Sequence, residues 1–453
     1  MAIQDLTQGS VSRQLTRMTI PFFLGMSSMI LGTVIETIYI GLLGAKELAA
    51  ASFMFPIIMA LTSISMGVGT GASSVIARAE GTGNREQVKR YVTHTVFLTT
   101  ALTLFLGGAA YFLFEDLYSL IGAEGEVLVL VVDFSQVWVV GLITFTLPMV
   151  ASSVLRALGI AKAPGYIMAA TSGMQLVVSP IFMFGLFGVP AYGFVGSAYG
   201  FILVGIFRLV AFAFLVWRER IVLYSGATKD FLKSVRTILR IALPSMLSAL
   251  IGPLSMAITI VLLAAHGDLI VAGYGIVSRI EMMVTMLLGA LAASVAPFVG
   301  QNWGARKIDR IYRVLSVSHR FCLGWGLICF ALLAPFGDNL VSLINDEPEL
   351  VTAASWFFLI VPASFGVMGA GRVSASLFIA LGKPIPPTIL SVLRTTVVYI
   401  PMAILFDHLW GYVGIFAAAL VANVLYGFAA YLWGRSMFSY EVKKVEPVSA
   451  VTL

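Results

Sequence analysis

Charge is what this sequence has least of. Asp, Glu, Lys and Arg together make up 11% of its 453 residues, against 59% hydrophobic, where soluble domains carry about 25% charged side chains. An aqueous surface of ordinary size cannot be built from so few charges, so the excess apolar surface faces hydrocarbon. A soluble enzyme and a disordered chain are thereby excluded. Cysteine is nearly missing too: Cys322 and Cys329 share one apolar segment, and the four histidines, His94, His266, His319 and His408, are scattered. Without C-x-x-C or H-x-x-x-H spacing, neither a structural metal nor a disulfide framework is expected. No Walker A loop occurs, which leaves an ion gradient as the internal power source. No catalytic residue and no cofactor are expected, so the chain does not read as an enzyme. The opening MAIQDLTQGSVSRQLTRM lacks the apolar run and cleavage site of a signal peptide.

What is present is a succession of apolar segments, each long enough to cross about 30 Å of hydrocarbon as a helix. They fall near 16–42, 50–77, 94–114, 127–153, 163–188, 191–216, 238–265, 270–298, 315–336, 350–376, 384–406 and 411–435. The expected fold is therefore an all-α polytopic membrane protein of about twelve transmembrane helices. The widest gap, near 217–240, holds WRERIVLYSGATKDFLKSVRTILR, whose basic spacing suggests an amphipathic linker on the membrane surface.

The net charge of +6 is not a nucleic-acid signal, because the basic residues lie in short loops rather than on one polar face. With the N-terminus inside, 24 of the 28 Lys and Arg, Arg372 among them, fall in inner segments. Outer loops keep Lys46, and FEDLYSLIGAEGEV and FGDNLVSLINDEPEL carry only acids. This asymmetry places both termini in the cytoplasm of a bacterial-type inner membrane.

The two halves repeat. Ile20-Pro21 recurs as Leu243-Pro244, Gly44 as Gly267, Ala49 as Ala272 and Ala157-Leu158-Gly159 as Ala380-Leu381-Gly382, all at one offset of 223 residues. With small gaps, GTGNRE near 81–86 matches NWGARK near 302–307, and Gly193-x-x-Gly196 matches Gly411-x-x-Gly414. Six helices followed by six more from the same side form a parallel repeat, the architecture that alternating access requires. The expected division is an N-terminal bundle over 1–216, a cytoplasmic linker over 217–237, a C-terminal bundle over 238–436 and a cytoplasmic tail over 437–453.

Charges left inside the spans are the functional candidates, since each costs about 2.5–3.5 kcal/mol on insertion scales unless paired or hydrated. Five remain: Glu36, Arg208, Arg279, Glu281 and Arg394. Glu36 stands roughly 12 Å below the outer loop. Such a carboxyl either exchanges a proton or cation, or is a structural group bonded to a neighbouring helix. Arg279 and Glu281 point in different directions on a helix and do not pair directly. Glu281 either titrates in a cavity or joins an interhelical ion pair, with Arg394 as one available partner and Arg279 free to reach Glu36 or another helix. Arg208, nearer the inner end, can snorkel. Gln175 and Ser179 precede Pro180, grouping hydrogen-bonding side chains beside a carbonyl that the proline frees. Tyr39, one turn beyond Glu36, joins the cavity candidates. The 19 Met and 31 Phe suit an adaptable apolar pocket, and GVGTGASS (67–74) and GALAAS (289–294) suit close helix approach.

GSVSRQLTRMTIP, IETIYIGLLGAKELAAAS, ARAEGTGNREQVKR, LRALGIAKAP, VGQNWGARK and ALGKP, in this order and spacing, resemble the multidrug and toxic compound extrusion (MATE) family over essentially the whole chain. The resemblance implies two pseudo-symmetric six-helix bundles in a V shape, exporting cationic or amphipathic drugs in exchange for protons or sodium. Glu36 matches the first-helix position at which the family often has an aspartate. The family's Asn, three residues, then Asp-Pro stands here as Gln175 and Ser179-Pro180, so the second acid is absent. Around Leu254-Ser255-Met256 no acid occurs either, which favours H+ over Na+ as coupling ion. The resemblance thus implies a monomeric antiporter whose partners are small amphipathic or cationic drugs and membrane lipids. The rival reading is a lipid-linked precursor flippase of the same superfamily fold, which needs a cavity cationic enough to neutralise phosphate.

Overall fold

The computed structural model describes residues 5–223, 229–344 and 347–445; parts of the expected linker and tail, 224–228 and 446–453, lie outside these. Among the described residues the secondary structure is helical. The elements are α1 (Val11–Leu43), α2 (Ala45–Gly81), α3 (Arg85–Leu120), α4 (Gly125–Val140), α5 (Ile143–Ala157), α6 (Lys162–Phe184), α7 (Gly193–Arg218), α8 (Phe231–Ala264), α9 (Asp268–Gly304), α10 (Ile308–Ser342), α11 (Pro348–Ile360), α12 (Phe365–Ala380), α13 (Ile385–Val392), α14 (Ile400–Trp410) and α15 (Tyr412–Val445). Eleven continuous helical stretches are long and apolar enough to span a membrane, and α4 with α5, bent by 51°, makes twelve.

Three spans are irregular. The bend between α4 and α5 falls at Gly141, where a Cβ would lie 2.5 Å from Ile202 Cγ1 of α7. Between α11 and α12 the chain tightens into a 3-10 turn, Val361–Ser364, at Pro362, whose missing N–H interrupts the ladder. Between α13 and α14 it widens into a π-helical stretch, Leu393–Tyr399.

The internal repeat is visible in backbone geometry. Gly159 and Gly382 follow α5 and α12 with φ of 81° and 77°. Both close the same cap, Ile160 N–H donating to Leu155 O at 2.8 Å and Lys383 N–H to Phe378 O at 2.9 Å, which is the left-handed ending that glycine permits without a Cβ penalty. Gly83 and Arg306, at the same 223 offset without a gap, are both left-handed with φ of 74° and 56°. Gly196 and Gly414 let α7 and α15 cross their predecessors backbone to backbone, since a Cβ would stand 2.4 Å from Phe182 O and 2.1 Å from Phe406 O respectively.

The chain divides into two compact units. Among the described residues one holds Asp5 with Thr16–Met246 and the other Leu6–Leu15 with 247–445. The boundary thus falls inside α8, because the first turns of that helix pack on α2: a Cβ on Gly71 would be 2.7 Å from Ile238 O, and one on Gly67 2.8 Å from Ala242 O. The small-residue run at 67–74 serves this packing. Two described residues before α8 bond to α3: Asp230 to Arg90 at 2.8 Å, and Leu223, whose N–H donates to Thr93 Oγ1 at 2.9 Å.

The segment before α1 belongs with the second unit for an equally local reason. Arg310 donates to the carbonyls of Leu6, Gln8 and Gly9 at 3.0, 3.2 and 2.7 Å, and Leu6 N–H donates to Gln301 Oε1 at 3.1 Å. Lys307 Nζ donates to Thr7 O at 2.8 Å. Lys307 and Arg310, two of the basic residues counted above for topology, thus clamp the segment before α1.

The tight crossings carry a direct expectation. Gly414→Ala forces a methyl into the Phe406 carbonyl and lowers the unfolding temperature of the detergent-purified protein, a cost of about 1–3 kcal/mol for overpacking. Gly324→Ala, with nothing within 4 Å of the new methyl, leaves it unchanged or raises stability by up to about 1 kcal/mol. Equal shifts for the two would contradict the crossing described.

Candidate functional site

Inside the first unit, α1 and α6 lie side by side and run in the same direction. At one end their backbones nearly touch: a Cβ on Gly165 would be 2.2 Å from Pro21 O, and one on Gly25 3.0 Å from Gly165 O. About eleven residues, or ~16 Å, further along α1, the same face presents Glu36 to α6. Ser179 Oγ donates to Glu36 Oε1 at 3.0 Å, Gln175 Nε2 reaches the same oxygen at 3.5 Å, and Gln175 Nε2 donates to Ser179 Oγ at 3.2 Å. Ser179 is 1% exposed, while Glu36 and Gln175 are half-buried.

Pro180 and Tyr39 complete this group by one mechanism. Pro180 has no N–H to give to the carbonyl of Leu176, one turn earlier. The Tyr39 hydroxyl takes that role, donating to Leu176 O at 3.3 Å. All five residues singled out in α1 and α6 therefore meet in one cluster, and its donors to the carboxyl are neutral.

Arg208 does not snorkel toward a helix end. Its guanidinium carbon sits 5.3 Å from the Phe145 ring centroid and 5.8 Å from that of Phe201, a cation–π arrangement. With Met29, Pro148, Met149, Met168 and Phe212 it lines a space of only about 10 Å³. The two rings hold the side chain within the unit.

The second unit holds a larger cavity of about 550 Å³, lined from α8, α9, α11, α12, α13, the π-helical stretch and α15. Arg279, Glu281 and Arg394 all line it, and Arg372 of α12 joins them. Arg372 was counted above with the inner loops; it belongs inside the span, eight residues before the end of α12. The signal was available, since position 372 falls within the span expected at 350–376. Arg372 and Arg394 are the charges acting on the Glu281 carboxyl, although no ion pair within 4 Å joins them among the described residues.

The irregular turns shape this cavity. The π-helical stretch contributes Arg394, Thr395 and Tyr399 to the lining, and the 3-10 turn contributes Val361. A π turn is rare and recurs at functional sites because it re-aims side chains that a regular helix would place elsewhere. Tyr399 is tied to α8 through a 2.5 Å hydrogen bond with Thr259 Oγ1, and Arg394 lies 5.8 Å from the Tyr426 ring centroid. No cluster of three or more metal-ligating side chains occurs among the described residues.

Comparison with known proteins adds four findings. The profile of the MatE family matches residues 21–181 and 244–405, two blocks whose starts are separated by the repeat offset. The FAD transporter of Shewanella oneidensis is 29% identical, with 99% of this chain and 98% of that protein covered. A probable multidrug resistance protein of Bacillus subtilis is 25% identical over 97% and 98% of the two chains. Among solved structures, the Vibrio cholerae MATE transporter VcmN in its bent form superposes with a TM-score of 0.90 at 29% identity, covering 97% of this chain and 99% of that one.

The α1–α6 cluster is open to a double-mutant test. Ser179→Ala and Glu36→Gln, made singly and together, give a coupling energy of about 0.6–1.7 kcal/mol in thermal unfolding, the range measured for hydrogen bonds between membrane helices. Strict additivity of the two substitutions would mean that the contact contributes nothing.

Proposed function

We propose that this chain, which belongs to the MatE family of membrane transporters, is a secondary antiporter that exports amphipathic compounds by alternating access in exchange for protons, with Glu36 as the coupling carboxylate. One observation carries the reading: the half-buried Glu36 is held by the neutral donors Ser179 and Gln175. A carboxylate locked to a guanidinium would have no cause to change its charge; one held by a hydroxyl and an amide exchanges a proton with a modest local rearrangement. Ionised, it accepts from both donors; protonated, it becomes a donor itself and releases part of that set. Because the Tyr39–Leu176 contact lies one turn away on the same two helices, a change at Glu36 is felt along the α1–α6 seam, and we assign cargo release to that change.

Protons rather than sodium suit a site with a single acid, as a cation site built from protein oxygens asks for several ligands. The membrane is a bacterial-type inner membrane, with both termini cytoplasmic on the distribution of Lys and Arg, and the working unit is the monomer.

The rival reading, movement of a phosphate-bearing lipid precursor, gains from one specific feature. Arg279, Arg372 and Arg394 line one cavity with a single acid, Glu281, which favours an anionic cargo over the cationic drugs that the family resemblance suggests. The relative named as a FAD transporter points in the same direction, FAD being a diphosphate.

Efflux from proteoliposomes with the two gradients imposed separately tests the reading. A pH gradient alone drives efflux of an amphipathic dye from wild type, and Glu36→Gln reduces it at least tenfold at equal protein level, whereas Glu36→Asp retains part of it. Efflux driven by sodium alone, or unchanged in Glu36→Gln, overturns the assignment.

A further inference from the structure

The cavity of the second unit has a composition that the coupling role of Glu36 does not use. Its charged lining is three guanidiniums, Arg279, Arg372 and Arg394, against one carboxylate, Glu281. An arginine keeps its charge at any physiological pH, so the cavity carries an excess of fixed positive charge in a region where uncompensated charge is costly. Glu281 is acted on by Arg372 and Arg394, yet among the described residues no ion pair within 4 Å joins it to either, and the one hydrogen bond from these two guanidiniums is the weak one from Arg372 Nη2 to Met368 Sδ at 3.8 Å, so no carboxylate holds their donors. Five aromatic rings, Tyr274, Phe357, Tyr399, Phe416 and Tyr426, share the lining. A cation entering here meets like charge; a neutral solute leaves the excess uncompensated.

We propose that this cavity is a binding site for aromatic organic anions, taking a phosphate or carboxylate group on Arg372 and Arg394 while the aromatic part lies among the tyrosine and phenylalanine rings. The inference rests on the reading of the chain as an exporter and names the class of its cargo. Guanidiniums present paired donors that match the oxygens of phosphate and carboxylate. The π-helical stretch supplies the geometry, since it places Arg394, Thr395 and Tyr399 along one wall, and the Tyr426 ring beside Arg394 supports that guanidinium from one side. Glu281 is the internal counter-charge whose place the anion takes. It lowers the charge of the empty cavity and competes with cargo, which keeps binding weak enough for release.

Fluorescence titration of the purified full-length protein in nanodiscs tests this with 1-naphthyl phosphate, uncharged 1-naphthol and a naphthyl trimethylammonium salt. The phosphate binds at least tenfold more tightly than the other two. Arg372→Gln and Arg394→Gln each remove most of that preference while leaving the weak affinity for 1-naphthol intact, which shows that the cavity has kept its shape. Glu281→Gln, which removes the competing charge, strengthens phosphate binding several-fold. Dodecyl phosphate, added in a parallel arm, binds more weakly than 1-naphthyl phosphate; tighter binding identifies a lipid headgroup as the source of the anion and overturns the assignment of an aromatic cargo. Equal affinities for the three naphthyl probes, or weaker phosphate binding by Glu281→Gln, overturns the proposal. Binding is read at equilibrium without any gradient, so its loss and a failure of proton-coupled efflux are separate results.

Discussion

The cost of an ionised group in hydrocarbon governs this chain from its composition to its sites. At about 2.5–3.5 kcal/mol per group on insertion scales, charges are excluded from most of the helical surface, and the few that remain inside need a compensating environment. The protein uses three such environments. Glu36 is met by neutral hydrogen-bond donors, Arg208 by the faces of two phenylalanines, and the group around Glu281 by a cavity of about 550 Å³. Only the first and third leave room for a change of charge or a change of partner. Arg208 is held between rings that do not titrate.

The same cost explains why so much of the architecture could be read from residue types alone. Spans appear as long apolar segments because the bilayer leaves no other solution for the backbone, and all twelve expected segments coincide with helical stretches. The repeat was readable because caps demand particular residues: Gly159 and Gly382 stand where the chain turns left-handed. Arg306 shows the limit, since the residue that shares this geometry with Gly83 carries a side chain and hides the match. The α1–α6 cluster was readable in outline, because a carboxyl, a glutamine, a serine and a proline in apolar company have few other uses.

What escaped was whatever depends on helix phase or on helices leaving the α form. Arg372 was assigned to a loop because it resembles the basic residues that flank spans, though its position lay inside one. The partnership of Tyr39 with the carbonyl freed by Pro180 needs the register between two helices 137 residues apart, which no local pattern contains. The π-helical stretch has no sequence signature at all, yet it decides which way Arg394 and Tyr399 face. The clamp of Arg310 on the chain start was likewise hidden, because topology alone accounts for a basic loop.

Comparing the halves at equivalent positions separates what the two share from what differs between them. Thr259 stands at the 223-residue offset from Glu36, and Tyr399 stands 224 residues beyond Gln175. Thr259 and Tyr399 hydrogen-bond at 2.5 Å, so both halves keep a side-chain contact between corresponding helices, ionisable in the first and neutral in the second. The charges of the second half stand at other positions: the counterparts of Arg279, Glu281, Arg372 and Arg394 at the same offset are Pro56, Ile58, Met149 and Thr171. Neither set of charges has a match in the other half. A repeated fold thus carries two unlike polar sites, a single carboxyl among neutral donors in the first half and a group of three guanidiniums with one carboxyl in the second, and sites so different in charge cannot favour the same species.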